Sequence, residues 1–185
     1  MTDDRIASLR STAHPLRLRM LSLLTGSAMS AAELARELDV SHANASYHLR
    51  ILAEAGEVVV DSEEKIRGGV AKRYRHPWEQ GFQRSQDPSD TFDPTGSSPP
   101  VRAMTIELLR RFEQRTQPSR TFLCDAELWV DPETWERAMA LVREAASVVH
   151  AEARKPHSDG SVHVNLTMAA FAMQDDPRAP AQEDR

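Results

Sequence analysis

One cysteine, Cys124, stands in 185 residues, too few for a disulfide framework or for a thiolate metal site of the chain's own. Long apolar runs are missing as well: the richest patch, residues 168–173, falls far short of the roughly 20 residues that a membrane span requires. The first residues, Met1-Thr-Asp-Asp-Arg, are acidic and polar where a secretory leader would be cationic and then apolar. These absences lead us to expect a cytoplasmic protein with no membrane partner. A Gly-rich phosphate loop, a nucleophile elbow, His and carboxylate pairs at helical spacing and a metal triad are all lacking, so neither an enzyme nor a cofactor is expected. What remains is ordinary for a folded chain, 40% hydrophobic and 28% charged, which excludes wholesale disorder.

A net charge of −5 looks unsuited to nucleic acid until it is divided. Residues 1–76 sum to +1 and residues 77–185 to −6. Residues 65–75 hold Lys65, Arg67, Lys72, Arg73 and Arg75 with no acid. Local field matters more than total charge for phosphate binding, so DNA contact is expected from the first half alone. Between the halves, residues 86–100 read QDPSDTFDPTGSSPP, in which Pro, Gly, Ser, Asp and Thr fill 13 of 15 positions. So little can be buried there that ordering is not offset. The expected organisation is α+β: an N-terminal unit over 1–85, a linker over 86–100, a C-terminal unit over 101–174, and a disordered tail over 175–185.

In the first unit, Leu16, Met20, Leu23 and Leu24 form a helical stripe opening at Pro15, a residue suited to the first helical position. Ser30-Ala-Ala-Glu33 spells a capping box for a short helix ending at Asp39. Ser41 offers a second N-cap, and the helix from His42 runs to Ala55, where Gly56 supplies a left-handed stop. Two helices joined through Asp39-Val40-Ser41 make a helix-turn-helix. A strand at 58–60, a charged turn over 62–69 and a return strand over 70–75 add a wing. His14-Pro-Leu-Arg-Leu-Arg-Met-Leu-Ser-Leu-Leu24, Ala32-Glu-Leu-Ala-Arg-Glu-Leu38 and Val40-Ser-His-Ala-Asn-Ala-Ser-Tyr-His-Leu-Arg-Ile-Leu-Ala-Glu-Ala-Gly56 resemble the ArsR/SmtB group of bacterial winged helix-turn-helix repressors over about residues 8–76. That resemblance implies a transcriptional regulator acting as a repressor, and a homodimer suits such a function because a twofold protein matches a palindromic operator. The resemblance also implies metal sensing in many members through a Cys-x-Cys pair. The matching positions here are Ser30 and Ala32, which are not soft ligands, so no metal site is expected.

On the second helix, at 100° per residue, Ala45, Leu49, Leu52 and Ala55 point to the core and His48 lies beside them. The opposite face carries Ala43, Ser46, Tyr47 and Arg50. A recognition helix reads bases mainly with its first turns, so Ala43, Ser46 and Tyr47 are the candidate base-edge residues, with Arg50 on a base or a phosphate and Ser41, His42 and Asn44 flanking them toward phosphate or sugar. Lys65, Arg67, Lys72, Arg73 and Arg75 of the wing are the candidate backbone or minor-groove contacts. The competing reading is a solvated helical face on a winged-helix protein-interaction module that reads no DNA.

The second unit reads as αβαβ. Val101, Met104, Leu108, Leu109 and Phe112 stripe one helix. Phe122, Cys124, Ala126, Leu128 and Val130 alternate with Asp125 and Glu127 as a half-buried strand, with Cys124 a buried small hydrophobe. Asp131-Pro132 opens a second helix, and Val162, Val164, Leu166 and Met168 alternate as a second strand. Two strands seldom stand alone in water, so this unit should dimerise, sense a signal, or do both. Trp129, Trp135 and Phe171 are the candidate lining of a small-molecule effector pocket, against a core-packing alternative. His150, His157 and His163 read as surface residues.

Overall fold

The computed structural model describes residues 11–66, 69–80, 99–118 and 120–173. The linker up to residue 98, the tail beyond 173 and Arg67 of the wing therefore lie outside the described residues. Element order is α1 (Pro15–Gly26), β1 (Met29–Ser30), α2 (Ala31–Leu38), α3 (His42–Glu54), β2 (Val59–Ile66), β3 (Gly69–Arg75), α4 (Pro99–Glu113) and α5 (Pro132–Ala151). The fold class is the expected mixture of helices with a small antiparallel sheet.

Local chemistry sets the helix ends. His14 caps α1, its Nδ1 accepting the Leu16 N–H at 3.1 Å, and Pro15 occupies the first turn. Ser30 accepts the Glu33 N–H at 3.3 Å while the Glu33 carboxylate accepts the Ser30 N–H at 2.8 Å, so both halves of the capping box are made. Asp39 stops α2 in the left-handed region at φ 53°, a conformation that Asp tolerates better than most residues. Ser41 caps α3 by accepting the Asn44 N–H at 3.2 Å. At its far end Glu57 donates to the Leu52 carbonyl and Gly56 to the Ala53 carbonyl, a Schellman closure in which Gly56 takes the required positive φ of 74°.

The core gathers where these helices meet. Met20, Leu21 and Leu24 of α1, Leu34, Ala35 and Leu38 of α2, and Ala45, Leu49 and Leu52 of α3 are buried together with Met29 and Val58. Each buried Leu, Met or Val among them contributes about 1.5–3 kcal/mol through its removal from water. α3 is thereby held by its inner stripe alone, and its outer face is left to solvent.

The wing differs from expectation in two respects. It is three-stranded, with order β1-β3-β2, because Met29 and Ser30 pair antiparallel with Tyr74 and Arg73. A strand of two residues with no alternation leaves no periodic trace. The hairpin is also longer: Ser62 to Ile66 had the composition of a turn, yet pairs along β3 from Arg73 to Gly69. Both faces of this ribbon are wet, so apolar alternation is not demanded, and charge pairing across the strands takes its place. Asp61 is the extra residue of a bulge between Val60 and Ser62, which raises the local twist.

The C-terminal unit departs further. α4 begins at Pro99 and α5 is opened by Asp131, whose Oδ1 accepts the Thr134 N–H at 2.9 Å. Both helices are as read, but the two strands are not formed. Residues 122–130 and 162–168 run outside any sheet among the described residues, and Cys124 is exposed rather than buried. Side-chain alternation marks a chain that fits one face of a sheet, but a ladder requires a neighbour, and neither run has one here. Trp129 and Phe171 are likewise exposed, and Trp135 is half-buried.

α4 packs on α1 through the side opposite its apolar stripe. Ala103 and Glu107 are the buried residues, and Val101, Leu108, Leu109 and Phe112 are exposed. The buried Glu107 carboxylate is held by Arg110 at 2.8 Å and Arg111 at 3.3 Å, as a carboxylate away from water must be. Farther along, His157 Nε2 lies 3.0 Å from Glu37 of α2 and Asn165 accepts from Arg111 at 3.1 Å. The Arg154 carbonyl approaches Gly26 so closely that any Cβ there would clash with it. The run after α5 is thus moored to the N-terminal unit.

Candidate nucleic-acid interface

The outer face of α3 carries the expected residues. Ser41, His42, Ala43, Asn44, Tyr47 and Arg50 are exposed, Ser46 is half-buried, and Ala45, His48, Leu49 and Leu52 are buried. Tyr47 keeps 52% of its surface in solvent, unusual for a large ring on a helix that has a core within reach. It packs edge-on against His48 at 5.2 Å between ring centroids, and the Arg50 guanidinium carbon stands 5.7 Å from its ring centre. Arg50 also reaches Glu54 at 3.8 Å. An exposed pair of that kind is worth about 0–1 kcal/mol, so a phosphate or base can displace it. The exposed N-terminus of α3 adds a positive dipole end on the same side.

Two residues beside this face were not legible as part of it. His14, at the head of α1, stacks on His48 with ring centroids 4.8 Å apart. Arg17, one turn on, acts electrostatically on both His48 and Tyr47. Burial first, then the Arg17 charge, lowers the pKa of His14; burial, then His14 and Arg17, lowers that of His48. The His48 Nδ1 is buried with no hydrogen-bond partner among the described residues, consistent with a neutral ring. In the sequence His14 carried only the signal of a residue before proline.

On the wing the bare cationic run does not survive folding. Lys72 stands 3.7 Å from Glu63, and Arg75 lies 3.6 Å from Asp61 and 3.9 Å from Glu79. The acids come from β2 and the segment after β3, outside the 65–75 window in which only cations were counted. Lys65 has no ion pair with a described residue.

Arg73 turns toward the protein. Its guanidinium grips Glu33 in a two-armed pair, at 3.0 Å and 3.1 Å, and donates to the Ala28 carbonyl at 2.7 Å. It faces inward to the helix-turn-helix and keeps 27% of its side chain in solvent. Glu33 is the partner that sequence reasoning assigned to the cap alone. Burial raises the Glu33 pKa, but the Ser30 hydrogen bonds and the Arg73 charge outweigh it and hold the carboxyl below its ordinary range. One carboxylate therefore closes the cap of α2 and fastens the wing to it.

Three helices with an exposed, capped third member and a β-wing fastened beside it define a winged helix-turn-helix, the architecture of a DNA-binding transcription regulator. A family model described as a helix-turn-helix domain matches residues 12–59, the stretch from the head of α1 to the start of β2. Among curated proteins none matches the chain. That family is a regulatory DNA-binding domain and not a catalytic one. Among the described residues no helix is long and apolar enough to cross a membrane.

Proposed function

We propose that the chain is a sequence-specific transcriptional regulator of the ArsR/SmtB kind, a homodimeric repressor on a palindromic operator. The single observation that carries this reading is the division of α3, with Ala45, Leu49 and Leu52 in the core and Ala43, Tyr47 and Arg50 in solvent. In the major groove Ala43 faces a thymine methyl, Ser46 and Tyr47 reach base edges, and Arg50 exchanges Glu54 for a base or phosphate. Ser41, His42 and Asn44 lie along the sugar-phosphate wall. Lys65 and Lys72, with Arg67 and Arg75, meet the backbone or minor groove; Arg73 is withdrawn from that set. The twofold matches half-sites about one helical turn, or a multiple, apart. The N-terminal unit is the DNA-binding domain, and the C-terminal unit joins the copies and is where an effector would act.

The test is fluorescence anisotropy on a selected operator and on random DNA, over a series of salt concentrations. Tyr47→Ala is expected to lose about 1–3 kcal/mol on the operator and little on random DNA. Lys65→Ala is expected to lose affinity equally on both, with the salt slope reduced by about 0.9. Equal loss on both DNAs for Tyr47→Ala would overturn the assignment of α3. The second reading, a winged-helix interaction module, draws on the ion pairs that occupy Lys72, Arg73 and Arg75; absence of any salt-dependent DNA binding would favour it.

A further inference from the structure

The C-terminal half carries more uncovered apolar surface than a single chain accounts for, and it lies on consecutive elements. α4 turns Ala103 and Glu107 to α1 and leaves Leu109 and Phe112 outward. α5, twenty residues long, has no buried residue. Between and after the helices come the two alternating runs, with Phe122 88% exposed, Leu128 75% and Val162 81%; Trp129, 87% exposed, stands on the other face of the first run, and Phe171, 68% exposed, lies beyond the second. Monomeric proteins seldom expose a connected apolar patch beyond a few hundred Å². Each run also presents a row of backbone donors and acceptors with no ladder among the described residues, the state of an edge strand awaiting a neighbour.

We infer that these runs complete a sheet between two copies of the chain, residues 122–130 of one protomer pairing with residues 162–168 of its partner, and reciprocally. The inference rests on the homodimer reading above and specifies how that dimer is built. Pairing of 122–130 with itself is disfavoured by charge. Antiparallel about Ala126, it would set Asp125 opposite Glu127 on the polar face, and like charges placed so are destabilising. The run 162–168 offers His163, Asn165 and Thr167 at the corresponding positions, with no acid among them. Pairing within one chain is not what the fold does. The second run is held to α4 through Arg111–Asn165, and His157 before it reaches Glu37 of α2; among the described residues the first run pairs with no strand of its own chain. Phe122, Leu128, Val130, Val162, Val164 and Leu166 lie on the apolar faces of the two alternations and keep 41–88% of their surface in solvent, a face that the paired copies would cover. The outward stripes of α4 and α5 supply the second layer that such a sheet requires.

Cys124, exposed and on the apolar face of the first run, makes the test direct. Val162→Cys, Val164→Cys and Leu166→Cys are introduced singly into the full chain, oxidised, and read on a non-reducing gel beside light scattering of the same samples. Cross-strand neighbours on one face have Cβ atoms about 4.5–5.5 Å apart, near enough for a disulfide after small adjustment. The expected result is a dimer by light scattering and, for at least one variant, a covalent dimer that disappears when Cys124→Ser is added. A dimer in solution whose disulfides close only within one chain, or form in none of the three variants, would overturn the strand exchange and leave the homodimer standing. A monomer by light scattering would remove both together.

Discussion

Remove the Arg73 guanidinium and the wing loses its fastening to the helix-turn-helix. Arg73 and Glu33 keep only 27% and 21% of their side chains in solvent, so their pair is less screened than a surface one. Arg73→Ala forfeits one charge-assisted hydrogen bond and a second ion-pair contact to Glu33, and one hydrogen bond to the Ala28 carbonyl. Such bonds contribute about 1.5–3 kcal/mol each at best, and partial exposure together with the entropy of a long side chain brings the expected loss to about 2–3 kcal/mol. Glu33→Gln removes the charge but keeps an acceptor for the Ser30 N–H, and so is expected to cost about 1–2 kcal/mol. In a double-mutant cycle followed by urea denaturation the two should couple by about 1–2 kcal/mol, because either change alone already breaks the pair. DNA binding supplies the second arm. If the guanidinium is spent inside the protein, Arg73→Ala leaves the salt slope of binding unchanged, whereas a phosphate contact would remove about 0.9 from it. A coupling below about 0.5 kcal/mol, or a slope flattened by nearly one unit at Arg73→Ala, would refute the argument that Arg73 holds the wing rather than the DNA.

Leu52, fully buried where α1, α2 and α3 meet, should cost about 2–5 kcal/mol as Leu52→Ala; calorimetry showing an unchanged melting temperature would contradict the core assignment. His14, His48 and His76 all have pKa values lowered chiefly by burial. The folded state therefore binds fewer protons than the unfolded chain, and stability is full above the ordinary imidazole pKa of about 6.5 and declines as pH falls below it. Denaturation midpoints measured from pH 8 to 5 should decline at the acid end, and a flat profile would refute the burial of His48 and the partial burial of His76. At Gly26, Gly26→Ala drives a methyl into the Arg154 carbonyl, a backbone atom that cannot rotate away. The run after α5 should detach and become cleavable near Arg154 in limited proteolysis; unchanged protection would show that the approach is not close in solution.

The mapping from sequence to structure was strongest where one residue governs its own neighbourhood. Ser30 with Glu33, Ser41, Gly56 and Asp131 announced helix ends because a cap is made within three or four residues. The division of α3 was legible for the same reason: a 3.6-residue period over thirteen positions needs no knowledge of the rest of the fold. The wing was read with less success, since its tip is charged on both faces and β1 is too short to show a period. The run from 65 to 75 looked bare because the counting window excluded Glu33, Asp61, Glu63 and Glu79, which tertiary structure and strand pairing bring to the same cations.

The C-terminal unit marks the boundary most plainly. Period-2 alternation over 122–130 and 162–168 states which side of the backbone is apolar, and a helical stripe on α4 states the same for a helix. Neither says what covers that side. On α4 the single chain covers the other face, using a buried Glu107 held by two arginines, an arrangement that hydrophobic patterning would never select. Caps, periods and turns are short-range and were present in the order of the residues. The partner of Arg73, the burial of Glu107 and the exposure of Trp129 depend on atoms forty or more residues away, and only the folded chain decides which of those arrive.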